Sequence, residues 1–162
     1  VLVKITITAA DDFLCNKIEP NAPSTSARFA AIKELSQEGI YSGILLMPVL
    51  PFLEDNEENI TAITRLAYES GAKFIYPAFG VTLRQNQRDW YFKKLDEFFP
   101  SVKEKYIRQF GDAYECRSPK AKELWNLFKY QCDKNNILYR MEDIIKSYKH
   151  GYYDNKQISL FD

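Results

Sequence analysis

A strand begins at residue one. Val1-Leu2-Val3-Lys4-Ile5-Thr6-Ile7-Thr8 is apolar and β-branched from its first position, which reads as sheet core. It opens the first of three strand–loop–helix units, the pattern of a parallel sheet whose crossover helices all lie on one side. A parallel strand is normally buried between neighbours. The next unit supplies only one of them. The opening strand therefore predicts the back half of a larger barrel or sheet, with a missing N-terminal half as its partner.

In unit one the polar turn Ala9-Ala10-Asp11-Asp12 and a short segment, Phe13–Ile18, follow the strand. Glu19-Pro20-Asn21-Ala22-Pro23-Ser24 is a rigid loop, because two prolines fix φ and interrupt any helix. Ser24 to Ser26 offer N-caps for a helix to about Glu38, with Phe29, Ile32 and Leu35 on one stripe. Unit two is the apolar run Tyr41–Met47, closed by Pro48-Val49-Leu50-Pro51, then a helix opened by the acids Glu54-Asp55-Asn56-Glu57-Glu58. Unit three is Lys73–Phe79, the loop Gly80–Gln87, and a helix carrying Trp90, Tyr91, Leu95, Phe98 and Phe99. From Ser101 onward the pattern predicts helices only, with a short apolar piece at Ile137-Leu138-Tyr139. Over Gly151–Asp162 the pattern predicts an extended tail.

Bulk properties exclude more than they identify. Lysine plus arginine equal aspartate plus glutamate at 22 each, so net charge gives no global pull toward nucleic acid or an anionic membrane. The first 60 residues hold nine acids and four bases, whereas Arg117–Lys156 hold nine bases and five acids. That bias favours a polyanion near the C-terminal part, or is an ordinary solvated surface. No apolar run is long enough to span a bilayer, and no signal peptide is visible. Cys15, Cys116 and Cys132 are odd in number and far apart, which fits a reducing cytoplasm and structural rather than reactive thiols. His150 is the single histidine, so neither a protein-only zinc site nor a histidine-based triad is expected.

In parallel sheets and barrels the ligand end is the end where strands finish. The candidates there are Thr6, Thr8, Asp11 and Asp12, then Met47 and Pro48, then Tyr76 and Pro77. Alternation puts Thr6 and Thr8 on one face and Ile5 and Ile7 on the other. The two threonines bind a small polar ligand inside a barrel, or simply favour strand geometry. Arg28 pins a ligand carboxylate, or pairs with Glu19 and holds the double-proline loop. Asp11 and Asp12 are metal ligands or turn residues. The aromatic stripe of the third helix, and Trp125 with Phe128 and Tyr130, read as core rather than as a base-stacking platform.

The tail carries Gln157-Ile158-Ser159-Leu160-Phe161. An extended terminal peptide of this kind offers large apolar side chains to a partner pocket. It resembles the bacterial sliding-clamp binding peptide, with Ile158 where leucine is usual. The resemblance implies clamp contacts from Gln157, Ile158, Leu160 and Phe161. The alternative is a tail that covers the domain's own apolar patch.

Across nearly the whole chain the ordered segments resemble the C-terminal half of a radical S-adenosylmethionine protein of the spore photoproduct lyase-like group, often labelled DNA repair photolyase. The matching stretches are Ile5–Thr8, Lys17–Ser24 with Arg28, Ala30–Leu35 into Gly39-Ile40, Gly43–Pro51, Phe74–Gly80, Gly111–Cys116 and Ile158–Phe161. The resemblance implies an α/β fold in which three parallel βα units, similar to strands four to six, form part of a (β/α)6 partial TIM barrel. Residues 1–100 would be that half-barrel, 101–150 a helical extension and 151–162 the tail. It further implies Thr6 and Thr8 near the ribose or methionine part of S-adenosylmethionine, Met47, Pro48 and Tyr76 on the adenine side, and Arg28 near the methionine carboxylate.

The family's CxxxCxxC motif is absent. A [4Fe–4S] cluster of this kind needs three clustered thiolates, since its fourth iron stays open to the cofactor, and the three cysteines here do not supply that spacing. The expectation is a lyase-like, DNA-repair-related radical enzyme in the intact parent, and no cluster or chemistry in this chain alone. Two other readings stand beside it: a non-catalytic α/β binding module whose tail docks a DNA sliding clamp, and a complete small α/β protein that binds an unrelated ligand.

Overall fold

A computed structural model describes residues 1–150. The chain is α/β, with seven helices among these residues. Three strands, β1 (Leu2–Thr6), β2 (Tyr41–Leu46) and β3 (Ile75–Pro77), form a parallel sheet in the order β1-β2-β3. Ile5, Ile44 and Ile75 stand side by side in one register row; Thr6, Leu45 and Tyr76 make the next. Among the described residues the sheet does not close on itself, and β2 is the one strand paired with β1.

Because side chains alternate across a strand, the two rows face opposite ways. Ile44 and Ile75 are fully buried, and Ile5 packs against the same core. This face is covered by α2 (Thr25–Gln37), α3 (Glu57–Glu69) and α6 (Ala121–Lys134), through Phe29 and Ile32, Ile60 and Ile63, and Leu124, Phe128 and Cys132. Each large apolar side chain buried there contributes about 1.5–3 kcal/mol.

The sequence reading placed the helix after β3 against this face. The structure puts α6 there instead. The helix after β3, α4 (Gln85–Phe98), turns away and builds a second core with α5 (Val102–Phe110). Its apolar residues are mostly aromatic, and they find aromatic partners there. Tyr106 is fully buried at the centre, with ring centroids 5.4 Å from Tyr91, 5.5 Å from Phe52 and 5.4 Å from Phe110. The Tyr91 and Tyr106 hydroxyls lie 2.9 Å apart, so neither phenol is buried without a partner.

Residues 101–150 are not all helix either. β5 (Glu115–Arg117) pairs antiparallel with β4 (Gly80–Thr82), and both are only three residues long. Strands that short carry no alternation to read. The piece Ile137-Leu138-Tyr139 joins the main sheet beside β3: Leu138 N–H donates to the Lys73 carbonyl at 3.1 Å, and Ile75 N–H donates to the Leu138 carbonyl at 2.9 Å. The final helix, α7 (Met141–Lys149), brings Tyr148 within 6.5 Å of the Tyr41 ring.

Local signals explain the element ends. α1 (Asp12–Ile18) starts at Asp11, whose carboxylate accepts from Leu14 N–H at 2.7 Å. Ser24 caps α2, and Asn56 caps α3 by accepting from Asn59 N–H at 2.8 Å. Inside β2, Gly43 makes room for a neighbour: a Cβ there would sit 2.5 Å from the Phe74 ring.

Candidate functional site

The polar groups collect where the parallel strands end. The chain leaves β2 through Met47–Pro48, and the turn 50–55 folds back on itself. Glu54 Oε2 accepts from Leu50 N–H at 2.7 Å, and Asp55 Oδ1 accepts from Phe52 N–H at 2.6 Å. These bonds satisfy backbone donors that no ladder reaches. Asn59, in the first turn of α3, ties this turn to the end of β1. Its amide donates to the Thr8 carbonyl at 2.7 Å and to the Glu54 carbonyl at 2.9 Å, while its oxygen accepts from Ala10 N–H at 2.7 Å. Ser118 reaches in from the other side of the chain, donating to Asp55 Oδ2 at 2.6 Å.

Glu54 is the unusual member. It is fully buried, and its Oε1 has no hydrogen-bond partner among the described residues. Burial pushes its carboxyl up from 4.5 to about 7; the Thr8 hydroxyl and Leu50 N–H pull the other way, and the charges of Glu19 and Asp55 add to the rise. A carboxyl so placed holds or releases a proton near neutral pH. The sequence reading took Glu54 and Asp55 as helix-opening acids. They precede α3 and act in the turn instead. The signal was Asn56, a strong N-cap residue followed by Glu57 and Glu58, which leaves the two earlier acids outside the helix.

The structure distributes the predicted residues as follows. Thr6 and Tyr76 share the register row Thr6–Leu45–Tyr76, all three half-buried on the face away from α2, α3 and α6. Thr8 is buried beside Glu54. Met47 and Pro48 line an open groove of ≈ 520 Å³ with Ala78, Thr82, Arg84 and Gln87. Arg28 is buried and points inward. Its Nη1 donates to the Thr6 carbonyl at 2.8 Å, its Nε to the Pro23 carbonyl at 2.9 Å, and its Nη2 pairs with Glu19 at 2.7 Å. The guanidinium thus locks the double-proline loop onto the end of β1. Gln157, Ile158, Leu160 and Phe161 lie outside the described residues.

The other sequence candidates have structural partners. Asp12 accepts from Ser26 N–H at 2.8 Å and from the Ser26 hydroxyl, contacts that lower its pKa. Together with the capping by Asp11, this is the turn arrangement. All three cysteines are free and buried; burial pushes the Cys116 thiol up and the Cys132 thiol up to about 12. Among the described residues no group of three or more His, Cys, Asp or Glu side chains gathers to hold a metal, and no helix is long and apolar enough to cross a membrane. Comparison with protein-family models, with curated proteins and with solved structures finds no match.

Proposed function

We propose that this chain is the C-terminal half of a radical S-adenosylmethionine enzyme of the spore photoproduct lyase-like group, cytoplasmic and inert without its N-terminal half. The observation that supports the reading most is the sheet. Its strands run parallel in chain order, helices cover one face, and the Thr6–Leu45–Tyr76 row stands half-open on the other. Half a (β/α)6 barrel would present such a sheet, and in this reading β1 is the strand that meets the other half.

In this reading Thr6 and Tyr76 face the barrel interior, Thr8 closes its rim, and Met47 with Pro48 borders the nucleoside end. Arg28 positions the end of β1 through the Thr6 carbonyl. The described residues do not fit a [4Fe–4S] cluster, because the three thiols are buried and apart. The cluster ligands belong to the missing half, and no chemical step is assigned to residues of this chain. The family's usual label is DNA repair, and the resemblance does not fix the substrate.

The test is a longer protein that includes the residues preceding Val1. It should contain CxxxCxxC, take up about four irons per chain on anaerobic reconstitution, and release 5′-deoxyadenosine from S-adenosylmethionine. Upstream sequence without that motif ends the proposal, as does full cluster uptake by residues 1–162 alone.

The tail supports a compatible second role, docking of a DNA sliding clamp through Gln157, Ile158, Leu160 and Phe161. A clamp pull-down with and without residues 157–161 decides it: retention by the shortened chain rejects the role.

A further inference from the structure

An apolar cavity of ≈ 150 Å³ lies between α1 and α4, walled by Leu50, Leu53, Tyr91, Leu95, Phe98 and Phe99. It belongs neither to the open sheet face nor to the Met47–Pro48 groove. A cavity of about 150 Å³ lined by aliphatic and aromatic side chains has the size of one benzene ring. The Tyr91 phenol is already hydrogen-bonded to Tyr106, and the other walls named are aliphatic or aromatic, so the interior asks for an apolar occupant.

The rim adds charge of one sign. Lys17 and Lys94 both border the cavity. The Lys17 ammonium sits 4.6 Å from the Phe99 ring centroid and 6.0 Å from that of Phe13, and it takes part in none of the ion pairs of the described residues. Lys94 stacks on Phe98 at 5.1 Å and pairs with Glu97 at 2.7 Å. Trp90, 63% exposed, stands at the mouth. An apolar slot for one ring, with an ammonium at its edge that rests on aromatic faces and has no carboxylate partner among the described residues, matches a ring that carries an anion.

We propose that this cavity is a binding site for a small aromatic carboxylate, with the ring between Leu53 and Phe99 and the carboxylate against Lys17. The probe is 3-phenylpropionate, titrated into the full chain by NMR. Binding with a Kd of about 1 mM or tighter is expected, with contacts from the ring protons to the methyl groups of Leu53 and Leu95. The neutral 3-phenylpropanol should bind about fivefold more weakly, as should the acid to Lys17→Ala, the size of one exposed ion pair. Leu53→Phe fills the slot and should abolish binding. No saturable shifts in the unaltered chain, ring contacts elsewhere on the protein, or equal affinity for the alcohol and the acid would each overturn the proposal.

Discussion

The Ser118 hydroxyl donates to Asp55 Oδ2 at 2.6 Å across 63 positions of sequence, and both residues are buried. This bond joins the turn after β2 to the segment that leads into α6. A buried hydroxyl–carboxylate bond is charge-assisted and stronger than a neutral one. In a double-mutant cycle with Asp55→Asn and Ser118→Ala, a coupling energy of about 1–2 kcal/mol is expected by urea denaturation. Strictly additive single mutants would show that the contact carries no energy of its own.

Glu54 makes stability depend on pH in a defined direction. Its folded pKa, raised by burial from 4.5 to about 7, lies above the unfolded value, so folding favours the protonated form. That contribution is complete below pH 4.5, falls as pH rises through the window to 7, and is gone above it. The full change is on the order of 3 kcal/mol. Glu54→Gln, which stays neutral, should flatten the fall in unfolding free energy between pH 4.5 and pH 7. Parallel curves for the two proteins would contradict this.

Gly43 is fixed by the ring above it. A Cβ 2.5 Å from Phe74 forces either the strand or the ring to move, and Phe74 is itself almost wholly buried. Gly43→Ala should therefore lose about 1–3 kcal/mol. Adding Phe74→Leu should recover part of that loss, although Phe74→Leu alone destabilises. Thermal melts of the three variants give the answer; a neutral Gly43→Ala would mean that the strand yields easily.

Arg28 holds three acceptors at once, the carbonyls of Thr6 and Pro23 and the Glu19 carboxylate. Lysine keeps the charge but lacks the planar fork. Arg28→Lys should cost about 2 kcal/mol and raise amide exchange through residues 19–24. Unchanged exchange in that loop would separate the arginine from the loop's order.

Much of this architecture follows from local sequence. The alternation in Val1–Thr8, the apolar run Tyr41–Met47 and the stripes of α2 and α3 identify the parallel sheet and two of its covering helices. What local pattern does not reach are the long-range choices. Both α4 and α6 carry apolar side chains for a core, yet it is α6 that lies on the sheet, where its Leu124, Phe128 and Cys132 join the aliphatic core. The aromatic side chains of α4 joined Tyr106 instead. The site divides the same way. Met47 and Pro48 were legible as the positions just past β2, whereas Thr8, read as the end of the first strand, lies two residues beyond β1. Asn59 was not, because its partners Thr8 and Ala10 lie about fifty residues back and no helix rule singles it out.

The Leu138 bridge has a consequence for biosynthesis. β3 acquires its outer neighbour from a segment made more than sixty residues later, and that segment arrives only after α6 has been threaded between. On a translating ribosome the outer flank of β3 therefore stays bare until residue 138 clears the exit tunnel. A polypeptide stalled before that point leaves the flank of β3 beside Ile75 without the Leu138 carbonyl that its N–H donates to in the folded chain.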